Sequence, residues 1–275
     1  MSYTTKEIKK SIKLHSIETN KFKTNLITVV ITMPLSRQNV TLDTVIPAVL
    51  KRGTNNLKTQ EEISKKLEEM YGAEFDCGVE KIGDNHVLKF YLETLNDNYL
   101  PEEKKENLAK DGLNLLLDII FNPYLEDGYF KKEYVESEKD NIKLLIESKI
   151  DNKNSYALNR CIEEMYKDKA YGLYKFGYTE DLTNIDYKNL YTHYKNIINT
   201  AKIDIFFSGN IKSIEIENCI KENKNIQELE KREGKIIVDV NKELEEKEIK
   251  SLEEKMDITQ GKLVIGLDVK TGRTR

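Results

Sequence analysis

The sequence predicts an α+β protein whose helices pack on one face of a largely antiparallel sheet. Three observations carry that expectation. Residues 22–33 form a β-branched run closed by Pro34, residues 73–95 read as a hairpin, and a second strand-like run at 202–208 ends in Gly209-Asn210. Between these lie helical periodicities rather than one helix per strand. The order strand, helices, hairpin, several helices, strand belongs to a two-layer α+β arrangement and not to alternating βαβ units.

Each element has a local cause. In 22–33, Leu26, Ile27, Val29, Val30 and Ile31 alternate with Thr24, Thr28 and Thr32, a strand with one well-buried face. Thr41 to Lys51 places Leu42, Val45, Ile46, Val49 and Leu50 at helical spacing, with Gly53 past the end. Pro47 inside that pattern predicts a short or kinked helix. Thr59 to Tyr71 opens on a Thr59/Glu62 capping-box spacing and turns Ile63, Leu67 and Met70 inward. The hairpin that follows folds near Gly83-Asp84.

Pro101 suits the first position of a long helix whose stripe of Leu108, Leu115, Leu116, Ile119 and Ile120 ends at Asn122-Pro123. Further helices are expected at 127–150, 154–167 and 186–199. The Lys-, Glu- and Asn-rich stretch 221–256 reads as a solvated linker or exposed hairpin. Gly261 to Val269 returns to strand character. The expected organisation is a unit at 1–225, a charged linker or hairpin at 226–257, and at 258–275 a strand that opens a further, truncated unit.

Composition narrows the class of function. The chain has 275 residues, enough to bury a sizeable core without staples. Its 44 basic and 48 acidic side chains nearly cancel and are interleaved, which argues against a nucleic-acid groove or an anionic membrane surface. Cys77, Cys161 and Cys219 are far apart and form no CxxC pair, so neither a disulfide framework nor a thiolate zinc site is expected. The longest apolar runs, such as 113–121, fall short of a membrane span. The polar, lysine-rich stretch 1–10 has no apolar region behind it, and the expected compartment is the cytoplasm.

Catalytic motifs are missing. Most hydrolytic zinc sites need two or more imidazoles, and the chain has only His15, His86 and His193, no two within a helical turn. Neither HxxEH nor HExxH occurs, and each histidine reads as structural or surface-lying. There is no GxSxG, Walker loop or dinucleotide GxGxxG. The cysteines have no local activating signature. From the residues alone, no catalytic, cofactor-binding or metal-ligating set is nominated, and no cofactor is expected.

A set of short, collinear signatures nevertheless resembles one family. Arg52-Gly53-Thr54, Glu62-Ile63 with Leu67-Glu68, Tyr71-Gly72-Ala73 and Phe121-Asn122-Pro123 come first; Glu138-Lys139 and Ile146 follow; Tyr171-Gly172, Gly177, Leu182, Tyr194 and Ser208-Gly209-Asn210 close the pattern. In that order they resemble the insulinase/pitrilysin-type zinc metallopeptidases, which include the mitochondrial processing peptidase. Gln260-Gly261-Lys262-Leu263 resembles the opening strand of that family's second homologous half. The resemblance implies the two-layer, LuxS-like metallohydrolase fold. In active members an HxxEH helix supplies two histidine ligands and a glutamate base, and a later helix supplies a glutamate ligand. Here the matching positions are Thr44, Val45, Ile46, Pro47 and Ala48, and then Leu145, with Glu138 retained seven residues earlier. Methyl and isobutyl groups cannot bind zinc, a threonine hydroxyl is a poor ligand, and proline cannot act as a base.

The resemblance therefore implies a non-catalytic homologue. The expected partners are an active HxxEH sibling subunit and an extended peptide or unfolded segment that the two enclose, with neither nucleic acid nor membrane. Two alternatives stay open at this point: an α+β interaction module with no peptidase-related role, and a zinc metalloendopeptidase with displaced ligands.

Overall fold

A computed structural model describes residues 2–100, 107–229, 249–257 and 259–267. Strands β1 (Ser2–Lys9), β2 (Ile12–Glu18), β3 (Thr24–Pro34), β4 (Glu74–Ile82), β5 (Asn85–Leu95) and β8 (Lys202–Gly209) form one sheet in the order β1-β2-β8-β3-β5-β4. Every pairing is antiparallel except β2 with β8. A two-stranded ribbon, β6 (Leu125–Glu126) and β7 (Tyr129–Phe130), stands apart.

The sheet has two unlike faces because its strands alternate. Ile12 and Leu14 of β2, Ile27, Val29 and Ile31 of β3, Leu88, Phe90 and Leu92 of β5, and Ile203 and Ile205 of β8 are all buried. Against that face pack α1 (Val40–Leu50), α3 (Leu108–Phe121) and α8 (Ser213–Glu222), with α4 (Lys132–Glu147) and α7 (Tyr187–Thr200) packed on α1. The other face leaves Tyr3, Leu26 and Phe206 exposed. This is the two-layer α+β architecture expected from the sequence.

Local expectations hold at several elements. Helix α2 (Gln60–Glu69) has the capping box at Thr59, with the hydroxyl accepting from Glu62 N and the Glu62 carboxylate from Thr59 N. The β4–β5 hairpin turns at Gly83-Asp84, where Gly83 has φ +56°. Helices α5 (Lys153–Met165) and α7 fall close to the expected spans, with the single-turn α6 (Thr179–Leu182) between them.

Elsewhere the structure differs. The amino-terminal stretch read as a polar terminus is β1 and β2. Its signal, Ile12, Leu14 and Ser16 turned inward, is one short period-2 run beside a polar edge strand. Helix α1 runs unbroken through Pro47 for 11 residues, ten of them buried. Burial on nearly all sides offsets the roughly 3 kcal/mol that proline costs inside a helix. Helix α3 begins at Leu108, with Asn107 already non-helical, so the expected start at Pro101 is displaced; Pro101 itself lies outside the described residues. The helix expected from residue 127 starts at Lys132, because Asp127 and Gly128, both at positive φ, make the tight turn of the β6–β7 ribbon.

Helices α8 and α9 (Lys224–Gln227) were not expected. Ile216 and Ile220, one turn apart, bury α8. Most of the expected linker, residues 230–248, lies outside the described residues. The expected strand at 261–269 is absent over the described part, 261–267, which pairs with no strand among the described residues. Between residues 249 and 267 the chain touches α5: the Glu254 carboxylate accepts from Tyr156 Oη (2.8 Å) and Arg160 Nε (2.7 Å), and Gly266 lies close against Met165 and Cys161. No helix among the described residues is long and apolar enough to cross a membrane.

Candidate functional site

The positions that resemblance aligns with a zinc site fall on α1 and α4, which pack on each other. Thr44 and Ala48 are one turn apart on α1, 3% and 9% exposed. The Thr44 hydroxyl has one proton to give and faces two main-chain acceptors, Val40 O at 2.9 Å and Lys175 O at 3.2 Å. Both contacts fix it as a donor toward protein, so it offers no anionic oxygen to a cation. Pro47, where the family carries its base, presents only its carbonyl, which accepts from Cys77 Sγ at 3.3 Å. Burial pushes the Cys77 thiol up to about 12, so it is held protonated as that donor.

On α4 the retained carboxylate, Glu138, is buried and is not free for a metal. Its Oε1 lies 2.9 Å from Arg52 Nε, and its Oε2 accepts from Asn141 Nδ2 at 3.2 Å. Arg52, in the turn after α1, makes that contact as an ion pair, donates through Nη2 to Ser137 Oγ at 2.7 Å, and lies over the Tyr134 ring at 5.6 Å. The pair thus ties the end of α1 to the start of α4. Leu145, two turns beyond Glu138, is 38% exposed near the end of α4. Among the described residues no three His, Cys, Asp or Glu side chains form a group that could hold a metal ion.

What covers the amino-terminal half of α1 is the segment 171–178. Gly177, at φ +80°, lies so close to α1 that an added Cβ would stand 2.2 Å from Thr41 Oγ1. Tyr178 N donates to Thr41 Oγ1 (3.1 Å), which donates to Asp181 Oδ2 (2.6 Å). From the sheet, Lys81 Nζ donates to the carbonyls of Tyr171 (2.7 Å) and Leu173 (3.0 Å), and Asp84 Oδ1 accepts from Tyr171 N (3.1 Å). Half-burial of that lysine lowers its pKa.

Beside Thr44 the fold assembles a polar cluster that sequence spacing did not nominate. Asp43, fully buried, bonds His86 Nδ1 through Oδ2 (3.0 Å) and His193 Nε2 through Oδ1 (2.7 Å). His86, also fully buried, reaches Lys175 O with Nε2 at 2.9 Å. His86 and His193 therefore share one buried carboxylate and are not isolated. The only sequence signal was an aspartate on the apolar side of α1. His15 stands elsewhere, on the uncovered sheet face, bonded to Asp204 at 2.8 Å and stacked on Phe206.

Comparison with known proteins fits this geometry. No family model matches the chain. It is 32% identical over 252 residues to a protein of Bacillus subtilis (strain 168) named "Probable inactive metalloprotease YmfF", matching 92% of this chain and 58% of that protein. A crystal structure of a conserved protein from Enterococcus faecalis V583 superposes with a TM-score of 0.77 at 26% identity, over 86% of this chain and 54% of that one. The peptidase M16 inactive domain from Pseudomonas fluorescens superposes at 0.66 with 15% identity, over 87% and 53%. That last likeness is one of fold. The chain thus spans little more than half the length of each of these proteins. With the collinear signatures and the substituted α1, the chain is a homologue of that probable inactive metalloprotease, and it has the two-layer fold of the M16 inactive peptidase domain.

Proposed function

We propose that this chain is a non-catalytic subunit that pairs with an active, HxxEH-bearing sibling and helps it enclose an extended peptide. The observation that carries the reading is the state of α1. The first-ligand position is a threonine whose hydroxyl is committed to main-chain carbonyls, the base position is a proline, and the second-ligand position is a methyl group. At those three positions α1 offers neither a metal donor nor a base, while its apolar residues stay packed in the core. The Bacillus subtilis relative, named a probable inactive metalloprotease, supports inactivity; pairing and peptide enclosure go beyond that likeness. The compartment proposed is the cytoplasm, where Cys77, Cys161 and Cys219, all unpaired, would stay reduced.

The test is co-expression with an HxxEH chain of the same source. A stable complex on size exclusion, and peptidase activity of the sibling that rises on adding this chain, are expected. Fluorescence anisotropy should report binding of an extended peptide without cleavage. Recovery of unrelated partners only, with no effect on the sibling, would replace this reading by a plain interaction module. Stoichiometric zinc in the purified chain, with chelator-sensitive hydrolysis, would overturn it outright.

A further inference from the structure

The Asp43 cluster can be counted proton by proton. Lys175 O is a carbonyl and can only accept, so the 2.9 Å contact requires a proton on His86 Nε2. The 3.0 Å contact of His86 Nδ1 with Asp43 Oδ2 requires a second proton, and the 2.7 Å contact of His193 Nε2 with Asp43 Oδ1 a third. Two neutral imidazoles and an ionised carboxylate supply only two. With two protons, the fully buried Asp43–His86 pair with His193 beside it would hold a net negative charge and two acceptors face to face; with three the cluster is neutral and every contact is a hydrogen bond. His193 completes its bond as a neutral ring, so the extra proton belongs to the His86–Asp43 contact. A carboxylate that accepts from two imidazoles is best matched as an anion, which leaves that proton on Nδ1.

Among the described residues, the neighbouring cations are engaged elsewhere. From β4, the Lys81 ammonium is turned to the carbonyls of Tyr171 and Leu173. The Lys175 ammonium lies over the Phe176 ring at 4.6 Å. From α1 and α7 the facing groups are Asp43 and His193 themselves.

We infer that His86 is a buried imidazolium that latches the segment 171–178 onto α1, holding Asp43 with one ring nitrogen and the Lys175 carbonyl with the other. One charged ring from β5 thereby joins α1, through Asp43, to the segment that covers Thr41 and Thr44, and His193 brings in α7. The consequence is a conformational one: the cover over the substituted site is held by a charge-assisted bond, and removing the charge frees it. This goes beyond the partner-subunit reading and does not depend on it.

Protein labelled with ring-15N histidine reads the charge state directly. At neutral pH one histidine should carry protons on both ring nitrogens, protected from solvent, and its signals should vanish in His86→Gln and persist in His15→Gln. Asp43→Asn is the second variant. The Asn amide can donate to Nδ1, so His86 should remain folded in place but as a neutral ring with a bare Nδ1. In both variants, amide hydrogen exchange at 172–178 should speed up about tenfold or more, as loss of a charge-assisted bond implies, while α3 amides keep their protection. A bare His86 Nδ1 in the unsubstituted protein would overturn the assignment. Unchanged exchange at 172–178 in Asp43→Asn, with His86 shown neutral, would overturn the latch.

Discussion

If Glu138 survives on α4 to hold α1 in place, the two halves of its ion pair should not cost the same to remove. The Glu138 side chain is 3% exposed and Arg52 is 26% exposed, with 2.9 Å between Nε and Oε1. Arg52→Leu strands a buried carboxylate whose remaining partner is Asn141 at 3.2 Å, so it should cost about 3–5 kcal/mol, the range for breaking a buried pair. Glu138→Leu strands a guanidinium that reaches water and keeps Ser137 Oγ at 2.7 Å, and should cost less, about 2–3 kcal/mol. The double variant should recover part of the sum, giving a coupling of about 1.5–3 kcal/mol. Urea unfolding of the four proteins measures this, with midpoints separated by roughly 1–2 M at the slopes usual for small proteins. If Glu138→Leu proves as costly as Arg52→Leu, or the coupling is below about 0.5 kcal/mol, Glu138 is not retained for this contact.

Two further predictions concern the surroundings of α1. Gly177→Ala forces a side chain into φ +80° and drives its Cβ into Thr41, so it should destabilise by about 2–5 kcal/mol, summed from left-handed strain and overpacking, and lower the melting temperature accordingly; an unchanged melting temperature would show that the 171–178 cover is not seated on α1. Cys77, with its thiol pushed up to about 12 by burial, should resist iodoacetamide at pH 8 in the native protein and react on unfolding. Native labelling at the rate of an unstructured peptide would show that it does not donate to Pro47.

Much of the fold was legible because its causes are local. The Thr59/Glu62 cap, the Gly83 turn and the inward alternation of β3 each need only neighbouring residues, and the structure has all three. Errors came where a local signal was faint or overridden. The β1–β2 hairpin is too polar at its edge to announce itself, Pro47 is tolerated because α1 is buried almost throughout, and α8 hangs on two isoleucines in a charged stretch.

For the site, the residue types alone determined what positions 44, 47 and 48 of α1 cannot do: threonine, proline and alanine bring no imidazole and no carboxylate, wherever they are placed. Tertiary structure alone decided what those positions became. Asp43 and His193 are 150 residues apart and Asp43 and His86 are 43 apart, and only the docking of α7 and β5 against α1 brings their polar atoms within 3.0 Å. The parallel pairing of Ile12 with Ile203 is of the same kind. Such contacts follow from how separate elements pack, where no periodicity in the chain carries the information, and there the sequence is silent until the protein has folded.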